Sequence, residues 1–153
     1  MRAPDYVEPQ VGWRVWDVVK TDAGARLSSL VYNELWPVRR EVVALCRLGE
    51  SFPPPARGGP HEHAAPHARC SCGIHAPRSL DLVLPYLVER GRGGRSVLRV
   101  AGLVAVWGDV VEGAHGWRAS HAYPVRLYVP ERLGHPVAFW LADYGVPVDP
   151  RTV

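Results

Sequence analysis

VLRVAGLVAVWGDVVEGAHGWRASHAYPVRLYV, residues 97–129, decides the fold. Its first arm, Val97 to Glu112, is rich in β-branched residues and reads as the strongest strand in the chain. Gly102 and Gly108 interrupt it and mark bulges, or places where another backbone comes close. Gly113-Ala114-His115-Gly116 makes a hairpin turn into a second arm, Trp117 to Val129. That arm alternates. Trp117, Ala119, His121, Tyr123, Val125, Leu127 and Val129 share one face, and Arg118, Ser120, Ala122, Pro124, Arg126 and Tyr128 share the other. Pro124 lacks an N–H, so it belongs at an edge or a bulge.

Upstream, Val11 to Lys20 is another strand candidate. Val11, Trp13, Val15 and Val19 lie on one face, with Arg14, Trp16 and Val18 on the other, so the strand is covered from two sides or leaves Trp16 partly exposed. Thr21-Asp22-Ala23-Gly24 turns the chain back into a strand over Arg26 to Tyr32, which Trp36-Pro37 ends. Glu41 to Leu48 reads as a third short strand and delivers Cys46. Downstream of the loop described below, Ser79 suits the N-cap of a short helix starting at Leu80 that Pro85 stops near Leu84. Gly91 to Arg95 is a flexible connector. Pro136 to Tyr144 reads as a second helix with Gly145 as its stop.

The reading is α+β, a small antiparallel β-rich domain of about five or six strands, or a small half-open barrel, with two short helices and a metal-pinned loop. Residues 1–10 form a tail, and 11–153 a single domain interrupted by a Pro/Gly/His-rich loop at 49–69. Prolines 53, 54, 55 and 60 exclude helix and central strand there, and Ser51 to Pro60 is its freest part.

The chain has 153 residues, enough for one domain with a real core. A net charge of +3 permits nucleic-acid contact without implying it. The N-terminus lacks a signal-peptide pattern and no apolar run is long enough to span a bilayer, so the expected location is the cytoplasm and no membrane partner is expected. Cysteines number 3, an odd count without an export signal, which favours reduced thiols over a disulfide framework.

HEHAAPHARCSCGIHA, residues 61–76, concentrates the metal-binding chemistry. Closed Cys₃His zinc sites are usually structural. The chain offers Cys46, Cys70 and Cys72, with His61, His63, His67 or His75 as the fourth ligand. His63 is favoured because Pro66 stiffens the path to Cys70. The Cys70-x-Cys72 spacing is tighter than the familiar Cys-x₂-Cys knuckle and demands a sharper turn, which Gly73 relaxes. The competing reading is a buried Cys46 and two incidental thiols in a His-rich loop.

Catalytic patterns are sparse. His61-Glu62-His63 is not HExxH, the zinc-deaminase signature is absent, and there is no CxxC. GRGGR matches no phosphate-cradling loop. An enzyme built on the cluster would use Glu62, His75 or His121 as proton carrier.

CSCGIHA at 70–76, AGLVAVWGDVVEGAHGWRASHAYP at 101–124 and YGVPV at 144–148 resemble a family of small bacterial proteins sharing C-x-C-G-I-[YH]-A and G-[WY]-R-A-x-x-A-Y-P motifs. WRVW and LSSLVYNELWP near the N-terminus look similar too. The resemblance implies a common fold and strengthens a shared role for Cys46, His63, Cys70 and Cys72. It implies no activity.

Trp13, Trp107, Trp117, Tyr123 and Trp140 are expected in the core, with His121 hydrogen-bonded among them. Arg14, Arg118 and Arg126, alternating with Trp16 and Tyr128, form a surface able to stack bases and pair with phosphates. Trp16 and Trp36 are read as exposed and available to an assembly. The expected function is a non-catalytic zinc-stabilised binding or adaptor module contacting a protein assembly or nucleic acid. The alternative is a metal-dependent enzyme.

Overall fold

The computed structural model describes residues 8–46, 63–88, 98–131 and 134–151. Most of the 49–69 loop, with His61, Glu62 and the Ser51–Pro60 stretch, lies outside these residues, as does the 91–95 connector. The strands are β1 (Gln10–Thr21), β2 (Gly24–Ser28), β3 (Val42–Val43), β4 (Ile74–Pro77), β5 (Leu98–Glu112), β6 (Gly116–Pro130) and β7 (Val148–Arg151). They form one open sheet of 7 strands, not a closed barrel, with β2, β1, β5 and β6 adjacent in that order. Every pairing is antiparallel except β6 with β7.

β6 is the organising strand. One edge pairs with β5; the other carries three short strands end to end. β4 lies against Gly116–Ala119, β3 against His121–Ala122, and β7 against Leu127–Pro130. Two bulges bend the hairpin. Gly108 and Asp109 together face Ser120, and Val125 is the extra residue where Val104 pairs with Pro124. Gly108 sits at φ +84, and a Cβ there would lie 2.2 Å from Ser120 Oγ. Ala122 and Tyr123, consecutive in regular register and so on opposite faces, are both buried; β6 is covered from two sides there and the single apolar face read from the sequence is not kept. At Gly12 a Cβ would lie 2.7 Å from the Ala76 carbonyl oxygen, so β4 packs directly across β1.

The main core gathers Trp16, Trp36, Tyr123, Tyr144, Leu27, Leu127 and Leu141 with the valines of β5. A smaller cluster on the other face of β1 joins Val15, Val83 and Ala101 to Trp13, Leu30, Leu80 and Leu87. Thus β1 is covered on both faces. Trp16 and Trp36 are not exposed: their relative exposures are 0% and 1%. They meet edge to face at 5.3 Å, and the Trp36 indole N–H donates to Ser29 Oγ at 3.0 Å. Trp140 departs from its expected core position. It is 40% exposed, with the Lys20 ammonium 5.4 Å from its ring centre.

The helical content is smaller than expected. Ser79 caps the segment after β4, its side chain accepting from the Asp81 N–H, but the segment forms two short 3-10 turns, Leu80–Leu82 and Leu84–Leu87. Pro85 falls in the first turn of the second, where its missing N–H is harmless. The C-terminal helix, α1 (Gly134–Leu141), docks through Val137 and Leu141 and tightens into a 3-10 turn over Ala142–Tyr144. Gly145 ends it at φ +70.

Buried polar groups join the elements. Tyr144 Oη accepts from the Leu27 N–H at 2.7 Å and donates to the Trp36 carbonyl at 2.6 Å. Tyr123 Oη donates to the Tyr144 carbonyl at 2.7 Å. Burial pushes the Tyr144 hydroxyl up to about 12 and raises that of Tyr123. Arg99 pairs with Asp17 at 3.0 Å, both buried, and also donates to the Tyr86 carbonyl at 2.8 Å. No helix among the described residues is long and apolar enough to cross a membrane.

Candidate metal centre

Two segments far apart in sequence meet because both pair with the same stretch of β6. Val42 and Val43 pair with Ala122 and His121, and the Ala44 N–H donates to the Ser120 carbonyl at 2.8 Å. This ladder carries the chain on to Cys46. Next along the same edge Ile74 pairs with Ala119 and His75 with Arg118, which places Cys72 and Cys70 beside the same strand. The strand pairings themselves bring the two segments together.

The result is compact. One ligand atom from each of Cys46, His63, Cys70 and Cys72 lies within 4.8 Å of every other. Cys46 Sγ and Cys70 Sγ are 3.8 Å apart, and His63 Nε2 and Cys72 Sγ are 3.3 Å apart. All three cysteines are free, and 3.8 Å is far beyond a sulfur–sulfur bond of about 2.05 Å. Tetrahedral zinc with Zn–S bonds of ~2.3 Å and Zn–N bonds of ~2.05 Å sets sulfurs about 3.8 Å apart and nitrogen about 3.6 Å from sulfur. The Cys46–Cys70 separation matches the sulfur–sulfur edge, His63 and Cys72 stand about 0.3 Å closer than theirs, and no pair needs to close by more than about 1 Å to complete the tetrahedron.

The turn carrying the thiols is built from local bonds. The Cys70 N–H donates to the His67 carbonyl at 3.0 Å, and the Arg69 N–H to His67 Nδ1 at 3.1 Å. Gly73 adopts φ +113, where a Cβ would come within 2.9 Å of Pro66. This left-handed residue permits the sharp Cys-x-Cys turn. Arg118 Nη1 donates to the Cys72 carbonyl at 2.7 Å and to the His67 carbonyl at 3.3 Å.

Burial works to raise the Cys70 thiol, but hydrogen bonds from the Cys72 backbone and from the Cys72, Cys46 and His63 side chains outweigh it and bring it down to about 7. Cys72 is pushed up to about 11 by its deeper burial and by the neighbouring sulfurs.

The other histidines take different places. His67 stacks on His63 at 4.5 Å, with its Nδ1 engaged by Arg69. His75 keeps part of its side chain in solvent, and its Nε2 donates to the Ser71 carbonyl at 2.8 Å; partial desolvation by the surrounding chain, with Arg14 and Arg118 nearby, lowers its pKa. His63 Nδ1 is buried without a hydrogen-bond partner, so this ring is held by stacking and by sulfur. His121 is half-buried, bonded through Nδ1 to Ser120 Oγ at 2.7 Å and stacked on Trp107.

The expected arginine surface is dispersed into internal contacts. Arg14 donates to the His75 carbonyl at 3.0 Å and to Ser29 Oγ at 3.3 Å, lying over the Trp36 ring. Burial lowers its guanidinium to about 10, against the pull of Glu34. Arg126 pairs with Asp149 across β6 and β7. With Trp16 enclosed, no row of arginines alternating with open rings remains at these positions. Sequence reasoning gave Arg118 no part in the cluster; the strand pattern fixed its face without revealing which loop would lie beneath it.

No family model, no curated protein and no solved structure matches the chain.

Proposed function

We propose that the protein is a non-catalytic β module whose loop is locked by one zinc ion held by Cys46, His63, Cys70 and Cys72, and that it serves as a binding or adaptor part of a protein assembly. The observation that carries the metal reading is the mutual approach of four soft or borderline donors within 4.8 Å. Three thiols and an imidazole suit zinc and disfavour magnesium or calcium, which take oxygen. A two-iron cluster would divide its ligands between two metal atoms, so the tightness of this group favours a single ion.

Four protein donors close a tetrahedron, whereas catalytic zinc keeps a position for water. The centre is therefore read as structural, fastening the end of β3 to the start of β4. The adaptor role draws on the apolar surface left open, which includes Val31, Leu45 and Phe139 at 76%, 64% and 80% exposure. Leu45 adjoins the ligand Cys46, so ordering the centre also orders part of that surface.

Elemental analysis of untagged protein is the direct test. One zinc per chain, lost in Cys70→Ser together with a lowered melting temperature, is the expected result, because ion binding is part of the folding free energy. Metal-free protein with an unchanged melting temperature in Cys70→Ser contradicts the reading.

A further inference from the structure

The Cys70-x-Cys72 turn is tighter than the Cys-x₂-Cys knuckle, and the hydrogen bond from the Cys72 backbone to the Cys70 sulfur supports only its first thiol, so the ends of the turn need a further hold. We propose that Arg118 is the positioning residue of the metal centre: its guanidinium braces the turn from the far side and sets the two sulfurs in place. This inference rests on the metal reading above.

The geometry is specific. One guanidinium nitrogen, Nη1, reaches carbonyls on both sides of the Cys70–Cys72 pair, His67 before it and Cys72 itself. It thereby gathers the ends of the turn to a single point on β6. The backbone at Arg118 is itself fixed, paired with His75 of β4 on one side and Val111 of β5 on the other. The Arg118 Cβ lies 3.3 Å from where a Cβ on Gly73 would stand, so the stem packs under the left-handed residue that makes the turn possible.

Charge points the same way. Arg26, Arg78, Arg99 and Arg126 each pair with a carboxylate. Arg118 contacts only carbonyl oxygens among the described residues. Three thiolates and one divalent ion carry a net charge of −1, and a neighbouring guanidinium brings the centre to neutrality. A monovalent ion such as copper(I) would leave the same centre negative. The placement of Arg118 thus favours a divalent ion as well as the turn geometry. Partners just outside a metal's ligands commonly change affinity by about 10–100-fold.

The test measures zinc affinity by chelator competition, with cobalt(II) replacing zinc as a spectroscopic probe, in the full chain and in Arg118→Gln, Arg118→Lys and Arg126→Gln. Arg118→Gln is expected to weaken zinc binding about 10–100-fold and to alter the cobalt thiolate bands. Arg118→Lys keeps the charge with a shorter reach and is expected to fall between it and the wild type. Arg126→Gln breaks an ion pair elsewhere on the same strand and is expected to change folding stability while leaving zinc affinity and cobalt bands unaltered. Wild-type affinity and bands in Arg118→Gln overturn the inference. Should that variant fail to fold, wild-type affinity and bands in Arg118→Lys overturn it instead. If the wild type binds neither zinc nor cobalt, the metal reading itself fails, an outcome distinguishable from failure of Arg118 alone.

Discussion

The indole-lined core and the sulfur-lined turn hold the chain by different means. In the core, Trp16, Trp36, Tyr123 and Tyr144 are enclosed by strands from three parts of the sequence; the two tyrosine hydroxyls bond to backbone groups, the Trp36 indole donates to Ser29 Oγ, and the buried Trp16 indole N–H has no hydrogen-bond partner among the described residues. In the turn, residues 63–73 contribute little apolar burial, with Ala65 and Cys72 the only residues enclosed. There a handful of hydrogen bonds and four donor atoms specify the path. Apolar burial is non-directional and tolerates small shifts, whereas a tetrahedral centre depends on the position of every ligand. The difference teaches that the sheet is held by its own packing, and under the proposed zinc reading it is the turn that draws its firmness from the ion.

Removal of the ion should expose that division most strongly. A strong chelator is expected to lower the melting temperature by the equivalent of several kcal/mol, because ion binding contributes to folding. Near-ultraviolet circular dichroism of the tryptophan core should nevertheless persist at 25 °C. Hydrogen exchange should accelerate at Cys70–Gly73 and stay slow in β5 and β6. Collapse of the tryptophan signal on chelation would break the comparison, since the sheet would then depend on the ion.

Asp17→Ala acts on the sheet alone. It leaves Arg99 buried without its carboxylate and is expected to cost about 3–5 kcal/mol in denaturant unfolding. Zinc content should be unchanged. Loss of zinc in this variant would show that the two regions are one cooperative unit.

Tyr144→Phe is the finer probe. It leaves the Leu27 N–H and the Trp36 carbonyl without their partner, at an expected cost of about 1–3 kcal/mol. The hydroxyl also predicts a pH dependence. Its folded pKa is raised from 10.0 to about 12, so its contribution is fully present below pH 10 and is lost as the pH rises towards 12. Alkaline unfolding curves of wild type and Tyr144→Phe should therefore converge over that window. Parallel curves would remove Tyr144 from the account.

Much of the sheet was legible because its long strands carry strong local signals. The β5–β6 hairpin, its glycine bulge at 108 and the two-sided burial of β1 all follow from β-branched runs and glycine positions. β4 was missed because only Ile74 and Ala76 mark it as apolar, between His75 and Pro77. β7 was missed because Pro147 and Pro150 argue against a ladder, yet Pro150 is tolerated on an edge strand. β3 shrank to Val42–Val43 because its ladder on β6 is brief. Exposure of individual tryptophans was not legible, since a strand pattern names two faces without saying what covers each. Residue type alone pointed to Cys46, Cys70 and Cys72 with one of His61, His63, His67 or His75; the preference for His63 rested on Pro66. Arg118 was not legible, because its role comes from the register between β4 and β6.

X-ray absorption at the zinc edge of the loaded protein tests the central claim most directly. The account predicts one zinc per chain with a four-coordinate shell of three sulfurs and one nitrogen. Failure to retain zinc, or a shell dominated by oxygen and nitrogen with at most one sulfur, would contradict it.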